Sequence, residues 1–226
     1  PHPTLPGGSS MNIHAVVFDL DGTLIDSRRD LAAAVNGVRG ELGLEALPVE
    51  RVVEHVGHGA RNLVRRSLPG EVAGEDFEAA FGRFLEIYYD GCLRETRPYP
   101  GVVALLEALA GRLPLAVLTN KPQRHTGKIL DGLGLSRHLR CAQGGDSLPV
   151  SKPHPDTLRE TARRLGTPLA ETLLVGDSAI DAETAKNAGA PAALVTWGFG
   201  TPEELAPFHP VLRPETPVEL ERFLRG

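Results

Sequence analysis

The chain has 226 residues and a formal net charge of −5, with 24 Lys or Arg against 29 Asp or Glu. This balance provides no basic surface for nucleic acid or an anionic membrane. No apolar run approaches the roughly 18 residues that span a bilayer. A charged fraction of 23% beside 41% hydrophobic residues argues against disorder. The length suits one buried domain, or one domain that carries a smaller insert.

Cysteine and lysine are both scarce. The two cysteines are too few for a disulfide framework or a four-thiolate metal site, so we expect a cytoplasmic protein with buried thiols. Twenty of the 24 basic residues are arginines, which makes each lysine informative. The four lysines are Lys121, Lys128, Lys152 and Lys186.

Residues 1–10 (PHPTLPGGSS) are rich in Pro, Gly and Ser and precede Met11. We interpret them as a tag or a disordered extension and leave them out of the fold prediction.

Short apolar runs predict the strands of a parallel sheet. Residues 15–18 (AVVF) show no polar alternation, as expected of a strand buried on both faces. Similar runs follow at 115–118, 173–175 and 192–195, and helical patterns cover 101–111, 123–133, 156–165 and 179–188. Repeated strand–loop–helix units predict an α/β fold with a doubly wound parallel sheet, a Rossmann-like core.

One long segment lacks this alternation of strands and helices. Between the first two predicted strands, the pattern indicates only amphipathic helices, at 30–42, 49–56, 60–68 and 75–90. We therefore predict a helical cap domain at residues 28–96, inserted into a catalytic core made of residues 11–27 and 97–226.

Polar clusters follow the predicted strands, where open α/β sheets form their sites. These clusters lie at residues 19–24 (DLDGTL), 119–121 (TNK), 152–153 (KP) and 176–181 (GDSAID). Four carboxylates in one crevice would repel each other and need a cation. Oxygen ligands without His or Cys favour Mg2+ over zinc. A hydroxyl, backbone amides and a lysine beside that ion would suit a phosphate, so the clusters predict phosphoryl transfer.

The segment at 19–27 (DLDGTLIDS) resembles the first motif of the haloacid dehalogenase-like hydrolase superfamily. Thr119-Asn120, Lys152 and residues 176–181 resemble its second, third and fourth motifs, in the same order. The likeness runs from about residue 13 to residue 223. Finer features resemble the phosphoglycolate phosphatase branch, at residues 30–44, 56–68, 97–102, 151–156 and 197–200.

The resemblance implies roles for the first motif. Asp19 would be the nucleophile that forms an aspartyl-phosphate, and also a Mg2+ ligand. Asp21 would protonate the leaving oxygen and then deprotonate water, and its backbone carbonyl would be a second metal ligand. Gly22 would permit a tight turn, and the Thr23 hydroxyl would brace the loop.

The resemblance also implies roles for the other motifs. Thr119, a backbone amide of Asn120 and Lys152 would hold the phosphoryl group. Asp177 would bind Mg2+, and Asp181 would either ligate it or orient its waters. Simpler alternatives stay open: Thr119 as a helix N-cap, Lys152 as a surface lysine and Asp181 as a first-turn complement to the helix dipole.

In this family the helical insert is a mobile cap, and its size implies a small organic phosphate as substrate. We predict that Gly57, His58, Gly59 and Arg61 contact that substrate, because glycines permit close approach and the following helix N-terminus favours a carboxylate. The alternative is an ordinary Gly-rich helix start with exposed His58 and Arg61.

The prediction is thus a Mg2+-dependent phosphatase that converts 2-phosphoglycolate to glycolate and phosphate, as a monomer or homodimer. Alternatives are a phosphatase for a sugar phosphate or pyrophosphate, a β-phosphoglucomutase-type mutase, and a non-catalytic phospho-accepting module like a response-regulator receiver. The presence of Asp21 argues against a dehalogenase. The lack of lysine between Arg28 and Asn120 argues against a Schiff-base phosphonatase. Thr23 argues against the mutase, and the length of the chain argues against the receiver.

Overall fold

The computed structural model of the chain describes residues 12–225, so the predicted tag or extension at residues 1–10 lies outside the described residues. The strands, in chain order, are β1 Ala15–Phe18, β2 Ile25–Asp26, β3 Arg97–Pro98, β4 Leu115–Leu118, β5 Cys141–Gln143, β6 Thr172–Gly176 and β7 Ala192–Leu194. The helices are α1 Arg28–Glu41, α2 Val49–Val53, α3 Ala60–Ser67, α4 Gly74–Gly91, α5 Val102–Ala110, α6 Gln123–Gly132, α7 Pro155–Leu165, α8 Ala179–Ala188, α9 Pro202–Leu205 and α10 Pro217–Arg225.

Five parallel strands form the central sheet, in the order β5-β4-β1-β6-β7. Phe18 at the end of β1 pairs with Val117 of β4 and Val175 of β6, so these three strands end at nearly the same level. The loops that follow them therefore leave the sheet at one edge.

Both faces of the sheet are covered. Ala15 and Val17 pack in a cluster with Leu158 of α7 and Ala185 of α8. Phe18, with Val16, faces the opposite cluster, which contains the apolar side chains of α5, α6 and the helices α1–α4. Strands buried on both faces need no polar alternation. The predicted α/β doubly wound sheet with an inserted helical segment is confirmed.

The helical segment α1–α4 leaves and rejoins the sheet at one place. Strands β2 and β3 pair antiparallel, with Ile25 opposite Pro98. The buried Asp30 carboxylate of α1 accepts hydrogen bonds from the backbone N–H groups of Glu95 and Thr96, at 3.0 and 2.9 Å. The entering and returning chains are thus held together, although the cap boundaries at 28 and 96 stay a prediction.

The sequence pattern does not indicate β5, the β2–β3 pair or the helix α10. In β5 the residues Cys141 and Ala142 are only half-buried at the sheet edge, so the strand lacks a continuous apolar run. Strands β2 and β3 have two residues each, which is too short for a periodic signal. Between residues 12 and 225, no helix combines the length and the apolar character needed to cross a membrane.

Candidate active site

Three buried aspartates meet at the carboxyl edge of the sheet. Asp19 follows β1, Asp177 follows β6, and Asp181 lies in the first turn of α8. Each offers a carboxylate oxygen, and these oxygens lie within 4.8 Å of one another. The side chains of Asp19, Asp177 and Asp181 form what we call the acidic triad.

The Lys152 ammonium group, from the loop before α7, pairs with two of these aspartates. Its Nζ lies 2.9 Å from Asp19 Oδ1 and 2.6 Å from Asp181 Oδ1. The Lys152 side chain is only 2% exposed, so the interpretation of Lys152 as a surface lysine is wrong. Burial lowers the pKa of Lys152, but the charges of Asp181 and Asp19 raise it to a net value above the ordinary one.

One ammonium does not neutralise the acidic triad. Burial raises the pKa of Asp19 to about 7, against the lowering effect of Lys152 and with further raising by Asp181. Burial, followed by the charges of Asp181 and Asp19, also raises the pKa of Asp177 to about 7. Although Lys152 Nζ is close, Asp19 Oδ1 accepts no hydrogen bond of acceptable geometry from any described residue.

The donor set therefore fits a hard divalent cation. The acidic triad offers oxygen ligands, carries more negative charge than Lys152 offsets, and leaves an oxygen of Asp19 without a hydrogen-bond donor. Hard cations prefer such oxygens, whereas zinc favours nitrogen and sulfur ligands.

Backbone and side-chain donors orient Asp177. Thr23 Oγ1 donates to Oδ1 at 2.9 Å, and the Phe199 N–H donates to Oδ2 at 2.7 Å. The Trp197 indole N–H in turn donates to the Thr23 carbonyl at 3.1 Å. Thr23 thus braces the loop after β1 against the loop after β6.

Gly22 permits the close approach of these two loops. Its φ is +84°, in the region that favours glycine, and an added Cβ would lie 2.2 Å from Asp177 Oδ2. The predicted tight turn at Gly22 is therefore present, and a side chain there would displace a member of the acidic triad.

Asp181 has two functions in the structure. Its Oδ2 accepts hydrogen bonds from the backbone N–H and Oγ of Ser178, at 3.1 and 2.6 Å, in a capping box at the start of α8. Its Oδ1 binds Lys152. The helix-terminus interpretation and the active-site interpretation of Asp181 are therefore compatible.

Thr119 and Asn120 follow β4 at the same edge. The helix α6 begins at Gln123 after Pro122, so the interpretation of Thr119 as its N-cap is wrong. Thr119 Oγ1 instead accepts the Lys121 N–H at 3.2 Å, which leaves its own O–H available to a ligand.

The Asn120 side chain connects two loops, a feature that the sequence pattern does not reveal. Its Nδ2 donates to the carbonyl oxygens of Gly57 and Lys152, both at 3.0 Å, and its Oδ1 accepts the Lys152 N–H at 2.9 Å. Asn120 therefore links the loop before α3 to the loop that carries Lys152.

Asp21 has different partners from the acidic triad. Its Oδ1 accepts hydrogen bonds from Lys121 Nζ and Ser27 Oγ. Lys121 Nζ also donates to the Tyr88 hydroxyl of α4 at 2.7 Å. The Lys121 side chain is 3% exposed and that of Asp21 is 11% exposed. The scarcity of lysine and the polar cluster at residues 119–121 are the sequence signals for Lys121, whereas no sequence signal points to Tyr88.

A cavity of about 50 Å³ lies between the helices and this edge of the sheet. Asp19, Asp21 and Thr119 line it from the sheet, and Leu63, Phe84 and Tyr88 line it from the helices. A neighbouring opening of about 330 Å³ reaches Asp19 and Asp21 beside Asp177 and Arg28.

Of the four residues at 57–61 that are predicted to contact the substrate, two line the cavity and two do not. Gly57 and Gly59 lie on its wall, whereas His58 and Arg61 do not. The Arg61 guanidinium pairs with Glu78 and lies 5.0 Å from the centre of the Phe81 ring. The structure therefore does not bring the Arg61 side chain to the triad.

Comparisons with known proteins agree with this arrangement. The haloacid dehalogenase-like hydrolase family model matches residues 16–195. Phosphoglycolate phosphatase 1 of Pseudomonas aeruginosa is 40% identical over 203 residues, covering 87% of this chain and 74% of that protein. Phosphoglycolate phosphatase of Neisseria meningitidis is 42% identical over 196 residues, covering 84% and 83%.

A solved structure shows the same fold. The crystal structure of a predicted phosphoglycolate phosphatase from Haemophilus somnus superposes with a TM-score of 0.87 at 30% identity, covering 93% of this chain and 97% of that one. The family match spans most of the chain and includes Asp19, Asp177 and Asp181, the three aspartates of the acidic triad. The chain therefore belongs to the haloacid dehalogenase-like hydrolase family.

Proposed function

We propose that the protein is a Mg2+-dependent phosphatase that converts 2-phosphoglycolate to glycolate and phosphate through an aspartyl-phosphate on Asp19. The observation that carries the proposal is the position of Asp19: it is buried in the acidic triad, paired with Lys152, and faces a cavity shared with Asp21. A carboxylate so placed can act as a nucleophile toward phosphorus.

Asp19, Asp177, Asp181 and the backbone carbonyl of Asp21 would hold Mg2+, which supplies positive charge to the phosphoryl oxygens and to the carboxylates. The acidic triad supports this assignment through its oxygen donors and its raised pKa values. The Thr119 O–H, the backbone N–H of Asn120 and the Lys152 ammonium would bind the phosphoryl oxygens and keep phosphorus in line with Asp19.

The chain's own residues perform two displacements. In the first, an Asp19 carboxylate oxygen forms a bond to phosphorus, the bond to the leaving alkoxide breaks, and Asp21 transfers its proton to that oxygen. In the second, a water oxygen attacks phosphorus, Asp21 takes the water proton, and the bond from Asp19 to phosphorus breaks. Asp19 and Asp21 then regain their starting states.

The substrate assignment rests on the cavity and on the relatives. We propose that residues 28–96 are a cap over the cavity that Asp19 lines, and that this cavity, with Gly57 and Gly59 on its wall, admits a small phosphate ester. The apolar side chains Leu63 and Phe84 narrow the space and exclude water. The curated relatives quoted above are both phosphoglycolate phosphatases, at about 40% identity.

The test is phosphate release from 2-phosphoglycolate, hexose phosphates, nucleotides and pyrophosphate, with Mg2+ and with EDTA. We expect strongest release from 2-phosphoglycolate, loss in EDTA, and loss in the Asp19→Asn variant, which keeps the size of the side chain. Preference for a sugar phosphate or pyrophosphate would refute the substrate but not the chemistry. Full activity of Asp19→Asn would refute the chemistry. Cytoplasmic location and the oligomeric state stay predictions.

A further inference from the structure

The proposed chemistry does not use Lys121, although Lys121 is a buried charge at the reaction centre. Its Nζ donates to Asp21 Oδ1 and to the Tyr88 hydroxyl. Burying an ammonium is costly unless its charge and its donors are matched, and here both partners are in place. We therefore ask what a buried ammonium that binds the proton-transferring carboxyl of Asp21 does in the reaction.

Two donors converge on one oxygen of Asp21. Lys121 Nζ and Ser27 Oγ both bind Oδ1, whereas no described residue donates a hydrogen bond to Oδ2. An oxygen that already accepts two hydrogen bonds is a poor place for an added proton, because that proton would point at the donors. A proton on Asp21 therefore belongs on Oδ2.

The Lys121 ammonium is itself held in place. The Tyr88 ring stacks with the rings of Phe84 and His125, with centroid distances of 5.7 and 5.5 Å. These contacts fix the hydroxyl that accepts the second Lys121 hydrogen bond. Because Tyr88 belongs to α4 and Asp21 to the loop after β1, Lys121 connects the helical segment to the proton-transferring carboxyl.

We propose that Lys121, assisted by Ser27, is a positioning residue that holds Asp21 Oδ1 and so makes Oδ2 the single oxygen that gives and takes the proton. This inference rests on the proposed function. In the first displacement the proton moves from Oδ2 to the leaving oxygen as its bond to phosphorus breaks. In the second, Oδ2 receives the proton of the attacking water as the bond from Asp19 to phosphorus breaks.

Two substrates with different leaving groups distinguish a residue that positions Asp21 from a residue that binds the phosphoryl group. An alkyl phosphate such as 2-phosphoglycolate releases a basic alkoxide that needs a proton, whereas p-nitrophenyl phosphate releases a stable phenolate that does not. The ratio kcat/KM covers steps through the first displacement, so it reports this requirement without the second step. A residue that binds the phosphoryl group would affect both substrates alike.

We expect Lys121→Met to lower kcat/KM for 2-phosphoglycolate about 100-fold, within the range of general acid catalysis, and for p-nitrophenyl phosphate less than about 5-fold. Lys128→Met is the matched control. Lys128 Nζ also binds α4, at the Tyr89 carbonyl, but does not contact Asp21. We expect that variant to stay within about 2-fold of wild type on both substrates.

Ser27→Ala provides a second variant of nearly the same shape, in case loss of a buried charge prevents Lys121→Met from folding. We expect the same selective loss for the alkyl phosphate, smaller in size, with the melting temperature lowered by only about 2–4 °C for the loss of one buried hydrogen bond. Equal losses for both substrates in the folded variants would overturn the proposal. If wild type hydrolyses neither ester, the proposed function fails; if it prefers another alkyl phosphate, that ester replaces 2-phosphoglycolate.

Discussion

Replacing Lys152 with Met tests the electrostatics of the site most severely. Met keeps much of the length of the side chain and removes the charge. The ammonium lies 2.9 Å from Asp19 and 2.6 Å from Asp181, and all three side chains are less than 10% exposed. Removing one partner of a buried ion pair costs about 3–5 kcal/mol. For a chain of this size, that corresponds to a lower Tm by roughly 6–20 °C.

The effect should depend on pH in a defined direction. Lys152 is the main group that lowers the pKa of Asp19, so in the variant Asp19 stays protonated to a higher pH. The folded variant then binds more protons than the unfolded chain, and its stability falls as pH rises. We therefore expect a large loss of stability at pH 8 and a smaller loss at pH 5.5.

The assay is urea unfolding in EDTA at both pH values, with Lys186→Met as the control. Lys186 is exposed on α8, and its removal should change the free energy of unfolding by less than about 0.5 kcal/mol. A Lys152→Met variant as stable as wild type at pH 8 would refute the ion pairing described here.

Two further predictions concern the metal and the turn. Because burial raises the pKa of Asp177 from 3.8 to about 7, the metal-free fold loses stability as pH rises between these values, on the order of 4 kcal/mol by pH 8. Mg2+ binds the deprotonated carboxylates and must compete with their protons at pH 5.5. Calorimetry should therefore show a larger Mg2+-induced rise in Tm at pH 8 than at pH 5.5, and equal rises would contradict the raised pKa of Asp177. Gly22→Ala and Gly43→Ala both place Ala at positive φ, but only the Gly22 Cβ meets Asp177, whereas Gly43 faces open space. We expect Gly43→Ala to lose about 1 kcal/mol of stability and to keep its phosphatase activity. We expect Gly22→Ala to lose more stability than Gly43→Ala and also to lose activity, because its Cβ displaces Asp177, and equal activities would contradict the contact.

Much of the fold could be predicted because the informative features are local. The strand Ala15–Phe18 is a continuous apolar run, and the residue after it is the first aspartate of the site. Strand β4 is likewise a continuous apolar run that ends at Leu118, and the residue after it is Thr119 of the site. Parallel strands deliver such residues to one edge, so strand ends and motif letters together predict which side chains meet.

The rest depends on contacts between distant parts of the chain. Lys121 and Tyr88 are 33 residues apart and meet only because α4 packs beside the loop after β4. The direction of Arg61 is set by Glu78 and by aromatic rings of α4, which no local pattern reveals. The edge strand β5 depends on pairing with β4 rather than on its own composition.

The central claim is that Asp19 carries the phosphoryl group. The most direct measurement is peptide mass spectrometry of enzyme quenched in acid during turnover of p-nitrophenyl phosphate, with Asp21→Asn included because that variant lacks the base for the second step. We predict a phosphoryl group on Asp19 alone, at higher occupancy in Asp21→Asn than in wild type. Turnover with the phosphoryl group on another residue, or with none in either protein, would contradict the account.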